Sequence, residues 1–212
     1  MQLKILYEDN HLLIVDKPHG LVTQPSQEHQ DSLEQRAKDY IKKTYHKPGL
    51  VYLHAVHRLD KDVAGIVIFA KTSKALERMH ACLRNRQVKK TYRAKVRGIL
   101  EKKEGIFVDY LEKIDHRALV TKPGEGKEST LFYQVIFEDK GFCYVDIDLH
   151  TGRYHQIRVQ LSHHGHPIEG DTKYGSKTSY PDGHIDLIHK QAEFVHPIKN
   201  TTVVVKSFFD FL

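Results

Sequence analysis

Apolar and polar residues alternate along this chain with two different periods, and the switches between them mark its elements. "LKILYEDNHLLIVDKPHGLV" carries two short β-rich runs separated by Asp9-Asn10, which predicts a hairpin whose second strand is closed by Lys17-Pro18 and Gly20. In "DSLEQRAKDYIKKTYHKPG" the period lengthens. Leu33, Ala37, Tyr40, Ile41 and Thr44 follow helical spacing, Ser32 and Gln35 form a capping box, and Pro48-Gly49 stops the run. A second amphipathic helix is predicted from Ser73 to about Gln87, with Leu76, Met79 and Leu83 on one face and Arg78 and Arg86 off it. Period two then returns. "STLFYQVIFED" and "GFCYVDIDLH" flank a Lys140-Gly141 turn, and Val145, Ile147 and Leu149 alternate with Asp146, Asp148 and His150, which predicts an antiparallel pair. "TGRYHQIRVQLSHHGHP" fits a third helix, with Thr151 as N-cap, Gly165 just past the end and Pro167 beyond it. "TTVVVKSFFDF" reads as a C-terminal strand. Few helices beside many strands, without strict βαβ alternation, give an α+β fold with a mixed, mostly antiparallel sheet flanked by a few helices.

No repeat, low-complexity tract or long Pro/Gly/Ser-rich linker divides the 212 residues, so a single domain over 1–212 is expected. With 40% apolar and 28% charged residues the chain suits a soluble globular protein. No apolar run approaches the roughly 18 residues of a membrane span, and "MQLKILYEDN" lacks signal-peptide regions, which favours a cytoplasmic protein that makes no use of a membrane. Cys82 and Cys143 lie far apart without metal-knuckle spacing, and both are expected to be buried thiols.

Charge adds a partner class. Thirty-three Lys and Arg against 27 Asp and Glu give a formal charge of +6, with 16 histidines in reserve. That excess alone leaves a polyanionic partner and ordinary solubility about equally supported. Its placement says more: Arg78, Arg84, Arg86, Lys89, Lys90, Arg93, Lys95 and Arg97 crowd one segment with few acids.

The stretch that demands an explanation is "HRLDKDVAGIVIFAKT". Arg58, Asp60, Lys61 and Asp62 stand directly against Ile66-Val67-Ile68-Phe69, a run suited to a protein interior. Taken alone, the stretch is most simply a surface ion-pair turn worth about 0–1 kcal/mol. His54, His57 and Asp60, or His163, His164 and His166, would suit a metallohydrolase, although "HHGH" at a helix end also fits a C-cap beside the helix dipole. "PGEGKES" echoes a phosphate-binding loop, but without GxxxxGK[ST] spacing it reads as a hairpin turn.

"HRLDKDVAGIVIFAKT" resembles the central motif of the RluA-type pseudouridine synthases, which isomerise uridine to pseudouridine in ribosomal or transfer RNA. "YEDNHLLIVDKPHGLVTQPS", "VKKTYRAKVRG", "LHTGRYHQIRVQLSHHGHPIEGDTKYG" and "HKQAEFVHP" resemble further motifs of that family in the same order, across almost the whole chain. The resemblance implies a pseudouridine synthase fold and assigns Asp60, Tyr92 and Arg158 to catalysis. Asp60 would attack the sugar C1′ or take a proton from C2′. Tyr92 would stack on the base and serve proton transfer at C5, and Arg158 would pair with Asp60 and keep it ionised. Arg58, Lys89, Lys90, Arg153 and His155 would contact RNA or support the site, with Arg58 placed to act as a wedge when the target base leaves its stack. Val63-Ala64 stand where the family usually has Thr-Ser, removing two hydroxyls beside the Asp60 loop.

No metal or cofactor is expected, because an isomerisation gains and loses no group. The implied partner is structured RNA, rRNA or tRNA, met by a monomer without the N-terminal S4-type domain of many relatives. The competing reading is a non-catalytic RNA-binding protein that kept the fold. Joint retention of Asp60, Tyr92 and Arg158 argues against it, since binding a polyanion needs no carboxylate facing it.

Overall fold

The computed structural model describes residues 3–211. In chain order the elements are β1 (Lys4–Glu8), β2 (Leu12–Lys17), α1 (Leu33–Thr44), β3 (His54–Ala55), β4 (Ala64–Ala70), α2 (Ser73–Arg84), β5 (Lys89–Arg97), β6 (Glu104–Ile114), β7 (Arg117–Thr121), β8 (Lys127–Asp139), β9 (Phe142–Leu149), α3 (Gln156–His163), β10 (Leu187–Val195) and β11 (Thr202–Lys206). Eleven mostly antiparallel strands beside three α-helices among the described residues make the chain α+β, as its patterning predicts. The chain packs as two compact units: residues up to Lys89 together with His189–Asp210, and Lys90–Ile188 together with Phe211.

In the first unit the predicted hairpin is closed by Asp9, whose Oδ1 accepts the amides of His11 and Leu12 at 2.8 Å each. Burial works to raise the Asp9 pKa, but Lys199, the two amides and Tyr7 outweigh it and hold the carboxyl well below the usual range. β2 lies antiparallel to β4 from Leu12↔Ala70 to Lys17↔Gly65. Every residue of both strands is buried, and the runs Leu12–Val15 and Ile66–Ala70 are apolar throughout. Leu12, Ile14, Ile66 and Ile68 share a core with Met79 of α2, Phe194 and Val205.

Helix α1 starts where expected, with Ser32 Oγ accepting the Gln35 amide at 3.2 Å. The reciprocal half of the capping box is not made, because the Gln35 side chain donates to Asp39 instead. Helix α2 is capped by Thr72, whose Oγ1 accepts the Ala75 amide, and it ends at Arg84, short of Gln87. Cys82 is half-buried rather than buried, since it packs at the margin of the core; Cys143 is fully buried, and burial pushes its thiol pKa up.

The second unit is a meander-like sheet in the order β5-β9-β8-β6-β7. The β8–β9 pair turns at Lys140-Gly141 as predicted. "PGEGKES" is not the turn of a hairpin: β7 and β8 both pair with β6, so their connection passes over that strand. Helix α3 is shorter than predicted. It begins at Gln156 after His155, a left-handed residue (φ 50°) that offers no side-chain cap. Thr151 is instead occupied with the backbone of Thr130 and with Gln156 Oε1. The predicted C-terminus holds: with Gly165 left-handed, the His166 amide reaches Leu161 O and the Gly165 amide reaches Ser162 O, a Schellman motif.

Gly65, the second residue of β4, has φ +113°, and a Cβ there would lie 2.4 Å from the carbonyl oxygen of His189. His189 is itself fully buried and bonds Ile66 O through Nδ1 at 2.7 Å, so it has no room to retreat. Gly65→Ala is expected to cost about 3 kcal/mol, read as a lower urea midpoint at unchanged m-value.

Candidate active site

β4 is a fixed wall, and the chain that leads into it, Leu59 to Val63, is fastened from the other side by residues 17–23. The Lys17 side chain is wholly buried, and its Nζ donates to the carbonyls of Pro18 (3.0 Å), Leu21 (2.7 Å) and Lys61 (3.0 Å). The Gly20 amide donates to the same Lys61 carbonyl at 2.9 Å. Thr23 grips the other flank of Asp60 twice, since its Oγ1 donates to Leu59 O at 2.9 Å and accepts the Leu59 amide at 3.1 Å. The Val63 amide closes a turn onto Asp60 O. His19 Nδ1 contacts Asp62 O at 3.0 Å. Asp60 is thus bracketed by backbone contacts on both sides.

Within this loop Asp60 is half-buried and Arg58 is exposed. Val63 and Ala64, the departures from the family pattern, are buried in the core. The clamps on the loop come from Lys17, Gly20 and Thr23, so its rigidity does not need hydroxyls at positions 63 and 64. His57 packs edge-on against His189, and its Nε2 accepts the Ile68 amide at 3.3 Å, which ties the start of the motif to β4. Burial pulls the Lys17 pKa down to about 7 against the opposing field of Asp60 and Asp62.

Asp60, Arg58 and Lys89 belong to the first unit, and Tyr92, Lys90, Arg153, His155 and Arg158 to the second. Tyr92 is buried on β5 opposite Ile147 of β9. Arg158 is no surface arginine: it is 4% exposed on α3, and its Nε and Nη2 hold Asp171 Oδ2 and Oδ1 at 2.7 and 2.9 Å. This two-pronged pairing compensates a charge that burial would otherwise penalise heavily. The guanidinium lies 5.2 Å from the centre of the Tyr174 ring, and His155 Nε2 sits 3.4 Å from Arg158 Nη1. Tyr174 Oη accepts the Ala118 amide and meets His155 Nδ1, each at 2.8 Å. The left-handed turn at His155 therefore places its ring between Tyr154, on which it stacks at 3.8 Å, and the Arg158 group.

The basic segment divides. Arg93 pairs with Asp146, Lys95 lies over the rings of Phe142 and Tyr144, Arg97 is 3.7 Å from Glu169, and Arg78 donates to Pro197 O. Lys89 is exposed, whereas Lys90 is half-buried and burial lowers its pKa. Arg153 is exposed. Among the described residues, no three His, Cys, Asp or Glu side chains gather in a way that would hold a metal ion.

Lys17, Thr23, Asp171 and Tyr174 are the supports that patterning did not single out. A signal for Lys17 was present: a lysine ending the run "LLIVD" sits where a strand bound for the core would place an apolar residue. Nothing local marks Thr23, whose partner is 36 residues away.

Residues 11–163 match the RNA pseudouridylate synthase family. The ribosomal large subunit pseudouridine synthase D of Pseudomonas aeruginosa is 35% identical over 184 residues, covering 85% of this chain and 56% of that protein. The tRNA pseudouridine synthase C of Vibrio parahaemolyticus is 28% identical over 232 residues, covering 99% of this chain and 92% of that protein. The chain thus spans little more than half of the first relative's length and nearly all of the second's. Among solved structures, human RNA pseudouridylate synthase domain containing 4 superposes with a TM-score of 0.81 at 21% identity, covering 98% of this chain and 89% of that one, a likeness of fold.

The state of Lys17 leaves a signature in stability. An unfolded lysine keeps its proton to about 10.5 and the folded one loses it near 7, so between those values the unfolded chain binds more protons and folding gains as pH rises. The stability of the wild type relative to Lys17→Met is expected to increase by up to about 1.4 kcal/mol per pH unit from about pH 7 to about pH 10. Urea titrations of both proteins across that window measure it; a constant difference would contradict the assignment.

Proposed function

Because this chain belongs to the RluA-type family of RNA pseudouridine synthases, we propose that it isomerises uridine to pseudouridine in structured RNA, with Asp60 as its essential catalytic group. The reaction breaks the N-glycosidic bond between uracil N1 and the ribose C1′, turns the base, and rejoins it through C5. The hydrogen on C5 must leave, and no group is gained or lost. Asp60 serves as the carboxylate that attacks C1′ or abstracts the C2′ proton, and either role needs it ionised. Arg158 favours that ionised form. Tyr92 stacks on the base and takes part in proton transfer at C5. Arg58, Lys89, Lys90, Arg153 and His155 contact the RNA or support these groups, with Lys89 and Arg153 the exposed cations that best suit phosphate.

The observation that carries this reading is the double fastening of the Asp60 loop by Lys17 and Thr23. An ordinary surface ion-pair turn has no need of a buried lysine to fix its backbone. A catalytic carboxylate does, because a small displacement of the reacting group costs rate steeply. Relatives named for the ribosomal large subunit and for tRNA support a target uridine in ribosomal or transfer RNA. The enzyme is read as a cytoplasmic monomer with a single catalytic domain over 1–212, working without metal or cofactor.

Purified protein should release tritium from transcripts labelled at uridine C5, with no added cofactor and with excess chelator present. Asp60→Asn should fold and bind RNA yet lose activity by at least about a thousandfold, since the amide is a far poorer nucleophile and base. Arg158→Lys should retain only a small fraction of the rate because one ammonium cannot reproduce the guanidinium fork. Activity that chelator abolishes, or that survives in Asp60→Asn, would overturn the assignment; binding without release from any RNA would favour a binding module.

A further inference from the structure

The second unit carries an open groove of about 660 Å³ that none of the roles assigned above requires as a whole. Its floor is apolar, formed by Leu111, 5% exposed, and Ala118, 1% exposed. The β7–β8 loop forms one wall and lies flat against β6 at Gly126, where a Cβ would stand 2.9 Å from the Leu111 backbone. The opposite wall is Gly152 to Tyr154. Tyr154 is 38% exposed, and its ring is held in place by its stack on His155.

Lys113, Lys127 and Arg153 stand on the rim, with Lys113 Nζ 4.8 Å from the centre of the Tyr154 ring. Among the described residues none of these three cations is in an ion pair, although Glu112 and Glu125 share the rim. Three cations against two carboxylates leave one net positive charge. That matches a phosphodiester, which carries one negative charge per nucleotide, and poorly suits a triphosphate. His155 stacks on the Tyr154 ring and the exposed Lys113 ammonium lies over it, so a base of any identity reaches the aromatic ring as Lys113 turns to a phosphate, and the volume lies in the range of small-ligand pockets.

We propose that this groove holds a nucleotide of the RNA strand that flanks the target uridine, its base against Tyr154 and its phosphodiester between Lys113 and Lys127. The proposal rests on reading the chain as an RNA enzyme. It gives the protein a second grip outside the reacting centre, one that contributes to affinity and to the position of the strand rather than to the chemical step.

The test compares wild type with Lys113→Gln/Lys127→Gln, both exposed side chains, using unmodified transfer RNA and large-subunit ribosomal RNA transcripts. Binding is followed from about 50 to about 200 mM salt, and tritium release from uridine C5 is read in the same samples. The variant should bind about tenfold more weakly at the low end. Its plot of log affinity against log salt should be shallower by roughly one, the amount for one to two lost single-strand phosphates, with the rate at saturating RNA unchanged. Transcripts carrying 5-iodouridine should crosslink to Tyr154. An unchanged salt slope, or displacement of RNA by ATP as readily as by unlabelled RNA, would overturn the groove's assignment. Tritium release by a wild type whose groove variant shows no slope change would reject the groove alone. A slope change without release from any RNA would uphold the groove as an RNA site and reject the isomerase reading.

Discussion

A buried lysine Nζ surrounded by backbone carbonyls is the constraint on which the first unit depends. Lys17 ends a strand whose every residue is buried, and its three acceptors come from the turn that follows it and from Lys61, 44 residues on. Taking such a group out of water is costly, and the fall of its pKa to about 7 records that cost. In return the loop next to Asp60 is fastened to the hairpin by a donor that reaches three carbonyls at once. Thr23 fastens the other flank, and β4 holds the chain that leaves it. Charged residues stand at the edge of the core here because the core is what fixes them.

The second unit solves a similar problem with an ion pair. Arg158 would be strongly unfavourable in its buried position without a partner, and Asp171 meets it through two parallel bonds. That geometry also orients the guanidinium, since a planar fork held at Nε and Nη2 fixes the direction of the whole group. Tyr174 lies against it, and Tyr174 is in turn held by the Ala118 amide and His155. Each supporting residue is itself supported, which is how side-chain position survives thermal motion in a polar site.

Much of this architecture is legible in the sequence because it is written locally. Asp9-Asn10, Ser32, Lys140-Gly141 and Gly165 each act within a few residues, and each marks the boundary expected of it. What escaped has long reach or an unusual backbone. Helix α3 starts late because His155 adopts a left-handed conformation and the Thr151 hydroxyl finds Thr130 instead of a helix amide, neither of which periodicity can reveal. The β7–β8 connection looked like a hairpin turn because nothing in "PGEGKES" says that β6 lies between the two strands. The basic segment is visible as a run of charge, but sequence does not distinguish Arg93, paired with Asp146, from Lys89, which is exposed. The Arg158–Asp171 pair spans only 13 residues, yet burial, not spacing, gives it meaning.

The central claim is that the fastened loop serves the chemistry of Asp60, and Thr23→Val tests it most directly. The substitution preserves shape while removing the hydroxyl that bonds Leu59 on both its amide and its carbonyl. Single-turnover tritium release from uridine C5 at saturating RNA should fall by at least about tenfold, as expected when a reacting group loses its preorganisation, while RNA affinity stays within about twofold of wild type. An unchanged single-turnover rate in a folded Thr23→Val protein would contradict the account.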